Sequence, residues 1–234
     1  MIRMISGKNG HGMSFQPRAL VACEYSGRVR EALRAAGFDA WSVDLLPSEQ
    51  PGQHMQRDVL EVLDMGWDLM IAHPPCTDLA TSGARHFAEK IADGRQERSL
   101  EFVRQLLAAP IPYKALENPK SVISSRIRRA DQIIQPWMFG HGETKETHLW
   151  LEGLPLLEAT QIVEGRAPVV HHMAPGPDRW KNRSRTYSGI ADAMGSQWGR
   201  FVIERLRTGL GPLPSLNDQL SLFSNRAAAQ IPSL

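Results

Sequence analysis

The chain has 234 residues, 42% hydrophobic and 22% charged, enough for one domain with a full core. No apolar run approaches the roughly 18 residues needed to span a bilayer, the polar start holds no signal-peptide core, and Cys23 and Cys76 give neither a disulfide framework nor zinc spacing. A membrane protein and a disulfide-rich module are set aside, a cytoplasmic setting is expected, and a net charge of +2 permits nucleic acid without demanding it.

Residues 1–18 read as a loose tail. Residues 19–23, Ala-Leu-Val-Ala-Cys, are a short apolar strand, followed by Glu24-Tyr25-Ser26-Gly27 and a helical pattern over 29–36 that Gly37 stops. Strand, glycine turn and helix make the first unit of a nucleotide-type fold, with Gly27 letting backbone approach a ligand beside the helix N-terminus. The next strand, 40–44, ends in Asp44 about twenty residues after the turn, where a Rossmann-like fold places a ribose-binding carboxylate. A loop or capping role is also open to it. Asp58 either faces the same crevice or caps a short helix over 59–63.

The stretch Trp67-Asp68-Leu69-Met70-Ile71-Ala72-His73-Pro74-Pro75-Cys76 reads as a buried strand ending in a stiff turn. Proline fixes its own φ and restricts the residue before it, so Cys76 is presented at a defined angle off the strand end. It is either a nucleophile or a small buried hydrophobe. His73, on the strand itself, is expected to pack. A polar loop over 77–86 follows, then an amphipathic helix over 97–108 closed by Pro110 and Pro112, and a strand over 113–116 ending in Glu117-Asn118-Pro119. Successive strand–helix units thereby set Tyr25, Asp44, Cys76 and Glu117 at carboxyl ends of parallel strands, converging on one sheet edge.

Arg126, Arg128 and Arg129 lie close together beyond Lys120, and a strand is expected over 148–151. Residues 153–182 read as irregular, with a basic aromatic patch, Arg179-Trp180-Lys181. The adjacent His171 and His172 are not a metal motif, since neighbouring positions point apart and no third ligand is evident. The last helix is expected over 190–207, the tail over 209–234 is expected to pack loosely or fray, and there is no internal repeat.

A thiolate and a carboxyl group on neighbouring strand ends suit addition to C6 of a pyrimidine with support at N3, which makes C5 nucleophilic enough to take a methyl group. Pro74-Pro75-Cys76 followed by Glu117-Asn118-Pro119 resembles the Pro-Cys and Glu-Asn-Val motifs of the DNA (cytosine-5)-methyltransferases, in similar order and spacing. Cys23-Glu24-Tyr25-Ser26-Gly27 looks like that family's cofactor-binding Asp-Leu-Phe-x-Gly, and Gly189-Ile190-Ala191-Asp192-Ala193-Met194 looks like its closing motif. The resemblance covers roughly residues 19–200. It implies an α/β, Rossmann-like class I S-adenosylmethionine-dependent methyltransferase fold, a mostly parallel twisted sheet with helices on both faces, in a catalytic domain over 19–208.

By that likeness Cys76 is the covalent nucleophile, Glu117 the group at N3, and Asn118 the brace of the strand end. S-adenosylmethionine, leaving as S-adenosylhomocysteine, would lie against Tyr25, Ser26, Gly27, Asp44, Asp58, Val59, Pro74, Ile190 and Ala191. Lys145 is the only cation where the family carries Gln-x-Arg-x-Arg, the first-motif acid is replaced by Cys23, and the asparagine of the closing motif is missing. Residues 153–185 alone are available for target recognition, as in small phage or prophage enzymes, so short recognition, on the order of two to four bases, is expected. The implied partner is duplex DNA with a flipped cytosine, met by a monomer. Arg85, Arg126, Arg128, Arg179, Lys181, Arg183 and Arg185 are candidate phosphate contacts. Trp137 and Trp180 are expected to pack. Rival readings are a free pyrimidine nucleotide or RNA as substrate, and a silent nucleic-acid-binding relative. A Rossmann dehydrogenase is disfavoured because the first turn lacks Gly-x-Gly-x-x-Gly.

Overall fold

The computed structural model describes residues 15–214. The strands are β1 Arg18–Ala22, β2 Asp39–Asp44, β3 His54–Gln56, β4 Leu69–Ala72, β5 Tyr113–Pro119, β6 Gln132–Ile134 and β7 Thr147–Glu152, in one sheet of order β3-β2-β1-β4-β5-β7-β6. β1 to β5 pair in parallel, while β7 runs antiparallel to both its neighbours. This is the Rossmann-like, mostly parallel α/β fold expected from the sequence. Strand order reverses between β1 and β4, and ligands of open α/β sheets bind in the crevice outside the carboxyl ends at such a switch point.

The helices are α1 Arg28–Ala35, α2 Phe87–Ala92, α3 Arg95–Ala108, α4 Ile123–Arg126, α5 Val169–His172, α6 Arg179–Ser184, α7 Ser188–Ala193 and α8 Arg200–Thr208, a π-helical turn Met194–Gly199 joining the last two. Side chains alternate along the central strands and split the core in two. Ala19, Val21, Leu69 and Ile71 face α1 and the C-terminal helices through Val29, Leu33, Ile190 and Trp198. Leu20, Ala22, Met70 and Ala72 face α3 through Leu100, Val103 and Leu106. Each large aliphatic side chain so buried contributes roughly 1.5–3 kcal/mol. Among the described residues no helix is long and apolar enough to cross a membrane.

A buried arginine fixes the loop that flanks β2. The Arg30 guanidinium, fully covered, donates to Ser42 Oγ at 2.9 Å, Ser48 Oγ at 3.1 Å, and the carbonyls of Gln50 and Pro51 at 3.1 and 2.9 Å, beside an ion pair with Glu31 at 2.8 Å. Gly27 stands at φ +74°, and a Cβ there would meet Arg30 Nη2 at 2.7 Å. Glycine suits the backbone angle there, and any larger residue would also have to displace the hydrogen-bonded guanidinium.

Several elements differ from expectation. Arg18 is already strand, and Leu213 pairs with Gly153, so only residues 1–14 and 215–234 of the expected tails lie outside the described residues. The 59–63 helix is one 3-10 turn, Val59–Glu61. The polar loop at 77–86 contains a 3-10 helix, Thr81–His86, running into α2. The 113–116 strand continues to Pro119 because β7 pairs with it through Thr147. The last helix starts at Ser188, α5 and α6 lie within the irregular region, and β3 and β6 are three-residue edge strands too short to leave a period.

Candidate active site at the carboxyl edge of the sheet

The chain leaves β1 at Cys23, which takes a positive φ of 58°. This turns the next residue inward. Glu24, 4% exposed, places its carboxylate over the start of α1, where Oε1 accepts from Val29 N at 2.8 Å and Ser26 Oγ at 3.0 Å, and Oε2 from Arg30 N at 3.3 Å. The free amides and positive dipole end of α1 are thus satisfied by the chain's own acid. Tyr25 turns the other way. Its hydroxyl donates to the Lys181 carbonyl at 2.8 Å and lies 3.0 Å from Ser184 Oγ, and its ring tilts against Trp180 at 6.2 Å. Asp44, at the end of β2, accepts from Leu46 N at 2.9 Å; burial raises its pKa, and that amide opposes the shift.

On the β4 and β5 side, His73 follows β4 and is held by its backbone N–H on Ala22 O at 2.9 Å. The Cys76 carbonyl accepts from Leu79 N and Ala80 N at 3.0 and 2.8 Å, which closes a tight turn behind the thiol. From β5, Asn118 Nδ2 donates to Pro74 O at 2.9 Å and ties the acid-bearing strand to the cysteine-bearing turn. His73 Nδ1 lies 3.1 Å from Glu117 Oε2. Burial raises the Cys76 thiol, the Glu117 charge raises it further, and Lys145 and Arg183 pull it partly back. Burial alone would raise Glu117 as well, but the hydrogen bond from His73 and the charge of Lys145 outweigh it and hold the carboxyl below its ordinary value.

Alkylation with iodoacetamide, followed by mass spectrometry, checks the thiols. A raised pKa leaves little thiolate at neutral pH, so Cys76 is expected to react slowly there and faster as pH climbs past the usual thiol value. Cys23, pushed up to about 12 by burial with Asp44 and Asp58 adding to the effect, is expected to stay unmodified. Removing the Lys145 charge by Lys145→Met should slow Cys76 further. A Cys76 labelled rapidly at neutral pH would contradict this electrostatic description.

Both sets of residues line one cavity of about 1100 Å³. It brings together Cys76, Glu117, Asn118, Lys145 and Pro74 with Tyr25, Ser26 and Asp44, and it is walled on a third side by Arg179, Trp180, Arg183 and Arg185. Of these cations, Arg185 is held by Glu49 at 2.6 and 2.7 Å and Arg179 donates to Met173 O at 2.8 Å. Arg183 makes no hydrogen bond or ion pair among the described residues.

Other expected residues lie elsewhere. Asp58 is exposed and caps the 3-10 turn by accepting from Leu60 N at 3.0 Å. Val59, Ile190 and Ala191 are buried in the two cores, because their apolar side chains pack against the sheet rather than line the cavity. Gly27 sits behind the turn against Arg30. Arg126 pairs with Glu97 at 2.9 Å, and Arg128 pairs with Asp131 at 2.7 Å while donating to Leu151 O, so both serve the fold on other surfaces. Arg85 donates to His86 Nε2 at 2.9 Å, and the Lys181 ammonium lies over Trp180. Trp137 packs under the Arg166 guanidinium as expected of a packing residue, whereas Trp180 is 52% exposed at the cavity wall.

Three contributors escaped sequence reasoning: His73, Glu24 and Trp180. For His73 a signal existed. The parallel register Ala72↔Leu116 puts His73 beside Glu117, so aligning the two strands at their proline turns would have paired them. That pairing also removes His73 as a base for Cys76 of the kind a cysteine hydrolase needs.

The sheet order and the cavity across its switch point define a Rossmann-like α/β protein. No family model and no curated protein matches the sequence. Among solved structures, the methyltransferase EhMeth of Entamoeba histolytica is similar over 69% of this chain, at 14% identity and a TM-score of 0.44. The match spans 61% of that protein's chain, less than two thirds of its length.

Proposed function

We propose that this protein is an S-adenosylmethionine-dependent methyltransferase acting on C5 of cytosine in DNA. One observation carries the reading: a single cavity is lined by Cys76 and Glu117 from the β4 and β5 side and by Tyr25 and Asp44 from the β1 and β2 side. Its volume exceeds what one drug-sized ligand fills and suits a cofactor and a nucleotide together. The cofactor end fits a sulfonium nucleoside better than a dinucleotide. Glu24 occupies the α1 amides where a pyrophosphate would sit, and repels it. Asp44, raised by burial, gains from the hydroxyl donors of a ribose.

S-adenosylmethionine bound there supplies an electrophilic methyl group. The chain's residues do the rest. Cys76 Sγ passes its proton to solvent and adds to C6 of the base; the Sγ–C6 bond forms, the C5=C6 pair becomes C4=C5, and the C4=N3 pair moves onto N3, which takes a proton from solvent. Glu117 supports the proton held at N3, so the ring does not carry a full negative charge. After methylation, solvent water takes the C5 proton, the C5–H pair becomes C5=C6, Cys76 leaves with the Sγ–C6 pair as thiolate, and the N3 proton returns to solvent. Asn118 fixes the relation of the two strand ends, and Lys145 offsets the charge that gathers as the thiolate forms. A duplex cytosine reaches this depth only when flipped out, with Arg183 available for a flanking phosphate and residues 153–185 for a short recognition sequence.

Purified protein incubated with labelled S-adenosylmethionine and cytosine-containing duplex DNA is expected to yield 5-methylcytosine, resolved as the nucleoside by mass spectrometry. Transfer should weaken as salt rises. Product on a free cytidine nucleotide or on RNA, with none on DNA, would overturn the DNA assignment while keeping the chemistry.

A further inference from the structure

His73 has no place in the chemistry described so far, yet it is more constrained than a packing residue needs to be. Its side chain is 9% exposed and its Nδ1 lies 3.1 Å from Glu117 Oε2, whose own side chain is 14% exposed. Its other nitrogen, Nε2, is buried with no hydrogen-bond partner among the described residues. That asymmetry sets the tautomer. A proton on Nε2 would be a buried donor without an acceptor, a costly arrangement, whereas a proton on Nδ1 meets a carboxylate. The imidazole is therefore fixed as a donor to Oε2.

The histidine itself cannot drift. Its backbone N–H is tied to Ala22 O at 2.9 Å, and Pro74 after it is tied by its carbonyl to Asn118 at 2.9 Å. The cross-ties are reciprocal: the β4 turn carries the nucleophile and orients the acid, while β5 carries the acid and braces the turn. Rotation about the last bond of a glutamate side chain is soft. An acid that must meet one ring nitrogen needs that rotation removed beforehand.

We propose that His73 is a positioning residue for Glu117, donating Nδ1–H to Oε2 so that Oε1 alone is presented to N3 of the flipped base. This rests on the cytosine C5 reading. It adds a residue to that chemistry at a position the sequence pattern assigns to strand packing.

The test compares wild type, His73→Leu and His73→Asn, as full-length chains on duplex DNA. Leucine keeps bulk and removes the donor; asparagine places an amide N–H where Nδ1 stands. For His73→Leu, kcat is expected to fall about 10- to 100-fold with KM for DNA and cofactor little changed, as when a hydrogen bond to a charged group is lost only at the reacting centre. His73→Asn is expected to recover most of that loss. Wild-type kcat in His73→Leu, or an asparagine variant as slow as the leucine one, would overturn the proposal. Should His73→Leu not fold, nitrogen NMR of the wild-type histidines decides, with Nδ1–H expected at His73 and the Nε2–H tautomer overturning it. Wild type making no 5-methylcytosine would instead overturn the reading of the whole site, and this proposal with it.

Discussion

Cys76→Ala is expected to lower 5-methylcytosine formation roughly 10⁴-fold or more, the scale seen when a covalent nucleophile is removed from a site that works as a unit. The fold should survive the change. Cys76 is half-buried, and what it contributes to structure is its backbone carbonyl on Leu79 and Ala80, which alanine keeps. Cofactor affinity should also survive, because Tyr25 and Ser26 follow β1 and Asp44 ends β2, away from the Cys76 turn after β4. Calorimetric binding of S-adenosylmethionine alongside the product assay separates the two. An alanine variant that still methylates cytosine would end the case for a covalent adduct.

Gly189→Ala should be the most damaging small substitution in the helical layer. A Cβ at that position would lie 1.9 Å from Phe139 O and 3.0 Å from Phe139 C. Both are backbone atoms, so no side chain can swing aside. The clash also dislodges the Gly189 N–H from His141 Nε2, a bond of 3.1 Å that closes the 139–145 loop onto α7. Overpacking of this kind costs about 3 kcal/mol, which for a chain of this size lowers Tm by roughly 6–12 °C. Activity should fall by more than stability explains, because the displaced loop carries Lys145 to the cavity. An unchanged melting temperature would show that the loop can move away freely.

Glycine 189 also shows how far a sequence pattern can be read. Gly189-Ile190-Ala191 resembles a segment that closes over a cofactor, but Ile190 and Ala191 are 3% and 1% exposed and lie in the core beside Val29 and Trp198. Apolar periodicity announces a helix without telling which of its neighbours it will meet. The parallel strands were legible because continuous apolar runs flanked by turn residues have few other solutions, and their carboxyl ends placed Tyr25, Asp44, Cys76 and Glu117 together before any coordinates. The cations were not. Arg128 and Arg183 are the same residue type in similarly basic stretches, yet Arg128 is held by Asp131 and Leu151 O whereas Arg183 faces the cavity. What separates them is the partner within reach, and that depends on loops whose paths no local pattern specifies. Glu24 was hidden for a similar reason. Its value as a cap depends on Cys23 taking φ 58°, an angle a non-glycine residue adopts seldom.

The packing of α1 has a consequence for how the molecule comes to be made. The helix forms early in the chain, but the surface that covers Val29 and Leu33 is built from Ile190, Met194 and Trp198, and Gly195 is glycine because a Cβ there would meet Ala32 O at 2.6 Å. During synthesis this apolar stripe emerges long before its cover does, and contacts so far apart in sequence are paid in loop entropy before they return anything. Folding of the described domain is therefore a late and largely concerted event. The edge that bears Cys76 acquires its final shape only when nearly all of the described sequence has emerged from the ribosome.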